Sequence, residues 1–146
     1  MANRRWYRDG ATSVALVGPW VLEVSNKQPG FESRLLLHGE AVWGQSASDL
    51  EAATRAVESD FSGRIECIVR GVEAGRVRWY AAQVDGESEF RALVAGVLLC
   101  VSGGESEGEN AWLWSCGADG GWEVSRQEAV VEAEGALVRR LRGWLL

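Results

Sequence analysis

The feature that most constrains this chain is its likeness to itself. Placed on residues 91–138 with a shift of 77 and no gaps, residues 14–61 match at 14 of 48 positions. Ala15, Leu16 and Val17 fall on Ala92, Leu93 and Val94, and Leu22, Val24 and Ser25 on Leu99, Val101 and Ser102. Trp6-Tyr7 meets Trp79-Tyr80 once four residues are inserted in the second copy. Self-similarity of this kind marks one supersecondary unit used twice, so the architecture follows from what one copy can form.

Each copy predicts strands followed by one helix. In the first, Trp20–Val24 is aromatic and β-branched, Asn26–Gly30 with Pro29 is turn chemistry, and Ser33–His38 is a second strand. In the second, Gly96–Ser102 and Asn110–Cys116 are the corresponding strands, with Gly103–Glu109 expected as a loop between them; Trp79–Val84 and Phe90–Val94 add strand-like segments. Ser48-x-x-Glu51 and Ser125-x-x-Glu128 read as capping boxes, in which the serine accepts from an orphan backbone amide at a helix start. Behind them, Leu50, Ala53, Thr54, Val57 and Phe61, and then Val130, Ala133, Leu137, Leu141 and Trp144, hold the spacing of one buried helical stripe.

The expected fold is α+β: two sequence-related hairpin-plus-helix repeats forming an antiparallel sheet with both helices packed on one face, related by a pseudo-twofold axis. A repeat of about 70 residues is marginal alone. One domain over 1–146 is therefore expected, with copies at about 1–62 and 76–146 and a strand at about 64–70 between them.

Composition narrows the class. With 47% apolar and 25% charged residues the chain is of ordinary globular type. The longest apolar run, Ala92–Val101, has half the roughly 20 residues that cross a bilayer, and the charged opening MANRRWYRDG predicts no secretory leader. A cytoplasmic protein without membrane contact is expected. Cys67, Cys100 and Cys116 have neither zinc-ligand nor CxxC spacing; reduced thiols and a Cys100–Cys116 bridge are the two readings. No HExxH, phosphate-loop or dinucleotide motif is present, and the chain has a single histidine, His38, so no catalytic residue, cofactor or metal is expected.

Charge is distributed unevenly. The chain carries −6, yet residues 85–134 hold eleven acids against Arg91 and Arg126, a local −9. Such a field disfavours direct nucleic-acid contact and attracts basic surfaces. Glu105, Glu107 and Glu109 alternate with Ser106 and Gly108, and Asp85, Glu87 and Glu89 lie upstream. Three readings fit the segment: a solvated face, contact with a basic partner, or a calcium loop, although the spacing of an EF-hand is missing. Eight tryptophans are the other excess. Trp112 and Trp114 share one strand face and read as core, whereas Trp43 and Trp122, in the approach to each helix, are available as partner anchors.

The arrangement Trp20-x-Leu22-x-Val24, a polar turn, then Ser48-x-x-Glu51-Ala52-x-x-x-Ala56-x-Glu58 resembles small phage- and prophage-encoded proteins whose strand hairpins lead into Ala- and Glu-rich helices. The resemblance covers both copies and implies an accessory protein. Small acidic phage proteins include inhibitors of host defence, anti-CRISPR proteins among them, that occupy a basic nucleic-acid channel. The expected function is thus a non-catalytic protein-binding module that occludes a basic host protein. Its candidate partner-binding residues are Glu105, Glu107, Glu109, Asp85, Glu87 and Glu89, with Trp122 and Trp43. The alternatives are an enzyme or small-ligand binder with a pocket between the repeats, using His38, and a structural assembly component.

Overall fold

The computed structural model describes residues 4–84, 87–106 and 109–145, with the backbone alone at 84, 87, 104–106, 109 and 110. The described residues form an α+β structure with two antiparallel five-stranded sheets and two helices. It divides into two compact units, one of residues 4–67 with 144–145, the other of Ile68–Gly143.

In the first unit, β1 (Tyr7–Asp9), β2 (Thr12–Val17), β3 (Trp20–Lys27), β4 (Gly30–Leu37) and β5 (Glu40–Ala47) pair in chain order. Two residues separate each strand from the next, the tightest connection an antiparallel pair permits. Gly18 opens one of these turns at φ 56°, and His38-Gly39 make another with both φ angles positive, 50° and 82°. This is the mirror-image turn whose twist suits a hairpin. Strand alternation does the rest: Trp20, Leu22 and Val24 are buried, as are Ser33 and Leu35 across from them. The Ser33 hydroxyl donates to the Gln45 carbonyl at 3.2 Å, which removes the cost of burying it.

Helix α1 (Leu50–Glu73) covers that face with Ala53, Val57, Phe61 and Ile65, spaced four apart and fully buried. Phe61 meets Trp20 edge-on, with ring centroids 5.7 Å apart, and the Arg4 guanidinium stacks over Phe61 at 4.8 Å. Burial holds the Arg4 pKa below its ordinary value, against the opposing pull of Glu58. Trp6 Nε1 donates to Glu58 Oε1 at 3.2 Å and ties the N-terminal arm to the helix.

The second unit takes the end of α1, then β6 (Tyr80–Val84), β7 (Glu87–Val94), β8 (Val97–Ser106), β9 (Glu109–Cys116) and β10 (Asp119–Glu123), again paired in chain order, and α2 (Arg126–Trp144). Ala92, Val97, Leu99, Val101, Trp114 and Cys116 supply the buried sheet face; Ala129, Ala133, Leu137 and Leu141 supply the helix stripe. Trp79 Nε1 donates to Glu134 Oε1 at 3.0 Å.

Several expectations need correction. The strands form two sheets rather than one. Residues 64–70 are helix, not strand, because Ile65, Val69 and Val72 prolong the buried stripe of α1 and outweigh Gly63 and Gly71. The stop comes at Gly75, φ 73°, where Gly75 N bonds the Val72 carbonyl and Arg76 N the Gly71 carbonyl, the paired pattern of a Schellman end. Asp49, not Ser48, caps α1, accepting from Ala52 N at 2.8 Å; Ser125 caps α2 as expected, accepting from Glu128 N at 3.1 Å. Most of the Gly103–Glu109 segment is strand rather than loop, with pairing out to Ser106 and Glu109.

Candidate functional site

A sheet covered by a helix on one side shows its other side to solvent, and the cross-strand register states which residues share that side. In the second unit it carries the pairs Leu113/Trp122, Leu93/Leu98 and Tyr80/Arg91. Five of these are large apolar or aromatic side chains left open: Trp122 is 68% exposed, Leu93 67%, Tyr80 63%, Leu98 48% and Leu113 38%. Between them the Arg91 guanidinium holds Glu89 at 2.7 Å, an ion pair that also raises the Arg91 pKa. Single exposed apolar residues are ordinary; five on one sheet face are a contact surface in form.

Two of the residues singled out from sequence belong to this face. Glu89, Ser102, Leu113 and Trp122 form one row across β7, β8, β9 and β10. Glu87 pairs with Val84 and Glu109 with Ser106, beside the connections at 85–86 and 107–108. Glu105 pairs with Asn110 one step further in. Antiparallel pairing brings both connections to the same end of the sheet. Asp85 and Glu107 lie outside the described residues, as do the side chains of Glu87, Glu105 and Glu109. Trp43 stands elsewhere. It pairs with Leu35, which is fully buried, so the half-buried Trp43 ring is on the helix-covered side of the first sheet.

The exposed leucines were missed by sequence reasoning because a hydrophobic residue in a strand reads as core. Leu93 and Leu98 sit inside the longest apolar run, and only pairing separates them from buried Ala92, Val97 and Leu99. Alternation gives no signal there, because Val97–Val101 is apolar at every position.

No family model, curated protein or solved structure matches the chain.

The chemistry available elsewhere is limited. Cys100 lies opposite Ser115 and Cys116 opposite Leu99, so the two thiols point to opposite sides of the sheet and do not bridge; all three cysteines are free. Burial pushes the thiol pKa of Cys100 up, with Glu89 adding to it, and burial does the same at Cys116, which leaves both protonated and weakly nucleophilic at neutral pH. His38 is exposed at the tip of the β4–β5 turn. Among the described residues no group of three or more His, Cys, Asp or Glu could hold a metal ion. Among the described residues, no helix is long and apolar enough to cross a membrane.

Proposed function

We propose that this chain is a non-catalytic protein-binding module whose contact surface is the solvent side of the second sheet. The carrying observation is the row that places exposed Trp122 and Leu113 in register with Ser102 and Glu89. A rigid aromatic ring beside open leucines supplies the buried anchor of an interface. The −9 charge of residues 85–134 adds long-range attraction for a basic partner and sets the salt dependence of encounter. Occlusion of a basic, nucleic-acid-binding surface of a host protein, as in phage-encoded inhibitors of host defence, is the form of this function that the charge and the resemblance favour.

We also propose that the two units descend from one duplicated ancestor. In support, each joins a five-strand meander to a helix, and each ties a tryptophan at the chain entrance to a helical glutamate, Trp6 to Glu58 and Trp79 to Glu134.

Affinity capture from lysate of the source cells tests the binding function, with wild type, Trp122→Ser, and the combined Glu105→Lys, Glu107→Lys and Glu109→Lys variant as baits. The expected result is a basic protein held by wild type, released by salt, and lost with both variants. Capture indifferent to Trp122 and to the charge reversal contradicts the assignment.

A further inference from the structure

We propose that the groove at the opposite end of the second sheet from the 85–86 and 107–108 connections binds a carboxylate carried on a short apolar body. This goes beyond the protein-binding reading: the groove shares Tyr80 and Leu93 with that face but turns on Arg76 and Arg78, which lie outside it, and on the opposite charge. The groove has a volume of about 310 Å³, and its walls include Ile68, Val72, Arg76, Arg78, Tyr80 and Leu93. That volume lies at the lower limit of small-ligand sites, roughly 300–1,000 Å³.

Two properties select the ligand. The side chains of Arg76 and Arg78 are both exposed, and neither has a carboxylate partner among the described residues. Glu73, the acid nearest to them in the chain, is already held by Arg142 at 2.9 Å. What sets Arg76 and Arg78 apart is that both stand on the walls of one groove, where their planar donor forks match a carboxylate in two-point contact. Ile68, Val72 and Leu93 offer only dispersion and dehydration, and the Tyr80 ring stands open beside them, so the rest of the ligand is aliphatic or aromatic. A free aryl or alkyl carboxylate and the C-terminal residue of a peptide share this chemistry.

Backbone amide shifts of the full chain, titrated with 3-phenylpropionate, 3-phenylpropionamide and an acetylated tetrapeptide ending in free phenylalanine, test the site. Saturable shifts at Gly71, Val77, Tyr80 and Leu93 are expected with 3-phenylpropionate or the peptide, with binding of the amide weaker by about tenfold or more, since it lacks the charge that strengthens a hydrogen bond to guanidinium. Tighter binding of the peptide assigns the natural source to a chain terminus, and tighter binding of 3-phenylpropionate to a small molecule. The combined Arg76→Gln and Arg78→Gln variant should lose about tenfold in affinity, while Arg70→Gln, off the groove, should not. Equal binding of acid and amide, equal loss with Arg70→Gln, or no shift at these four amides overturns the proposal.

Discussion

The two units share a plan and differ in what they show to solvent. On the open side of the first sheet, Glu23 faces Arg34 across β3 and β4 at 2.7 Å, Lys27 reaches Glu32 at 2.9 Å, and the Thr12 and Ser25 hydroxyls meet at 3.3 Å. The second keeps exposed Tyr80 and Leu93, the counterparts of exposed Tyr7 and Leu16 on the first, and adds exposed Leu98, Leu113 and Trp122 around one Glu89–Arg91 contact. Exposed ion pairs add little stability, about 0–1 kcal/mol each, but they keep a sheet face wetted and unattractive to other proteins. The two open faces therefore share two exposed apolar side chains and differ in the three that the second adds, on the face proposed as the interface.

The same comparison shows how a fold absorbs change in length. The turn at 18–19 corresponds to 95–96, a shift of 77, but the turn at 38–39 corresponds to 117–118, a shift of 79, and the caps Asp49 and Ser125 are 76 apart. Strand β8 is two residues longer than β3, and two is the period of a strand, so every side chain keeps its face. Strand β10, three residues shorter than β5, brings the second helix in early, which puts Ala53, Val57, Phe61 and Ile65 at the places of Ala129, Ala133, Leu137 and Leu141, all fully buried.

Perturbing these paired positions tests how far the likeness extends. Phe61→Ala should cost about 3–5 kcal/mol and Leu137→Ala about 2–5 kcal/mol in urea unfolding, because each opens a cavity under its helix. If either substitution costs under 1 kcal/mol, the two stripes are not equivalent cores. Next in size are the caps: Asp49→Ala and Ser125→Ala should each cost about 1 kcal/mol, and Ser48→Ala less than about 0.5 kcal/mol. A large loss at Ser48 restores the capping box read from sequence. Trp6→Phe and Trp79→Phe each remove one hydrogen bond to a helical glutamate and should cost similar amounts, about 0.5–1.5 kcal/mol by the same measurement.

The smallest effect belongs to the polar face of the first sheet. Hydrogen bonding and charge from Lys27 hold the Glu32 carboxyl below the usual carboxylate range. A carboxyl depressed in the folded state stabilises above its unfolded pKa, and that contribution is lost as pH falls through the folded value. In an NMR titration, Lys27→Met should move the Glu32 midpoint upward; an unmoved midpoint means the pair does not persist in solution.

Strands, helices and the α+β class were legible because period-two and period-four patterns are local properties of the chain. The helix stripe at Phe61 and Leu137 and the Ser125 cap needed nothing beyond spacing. What was not legible depended on partners distant in sequence. Whether Ile65–Arg70 was helix or strand turned on what Ile65 and Val69 could be buried against. Leu93 and Leu98 could not be told from core until pairing placed them across from one another on the open side. An ungapped comparison set Ala52 on Ala129, whereas burial sets Ala53 there, because length changes in the strands are invisible to a fixed shift. Of the candidate site, Trp122 was readable as an aromatic in the approach to a helix; its neighbours on the open face were not.

The most direct test of the binding face is photo-cross-linking in the source cells, with p-benzoylphenylalanine replacing Trp122 on the second sheet or the equally exposed Leu16 on the first. A discrete cross-linked partner from position 122, and none from position 16, is the predicted result. Cross-links from position 16 with none from 122 would contradict the assignment of the interface to the second sheet.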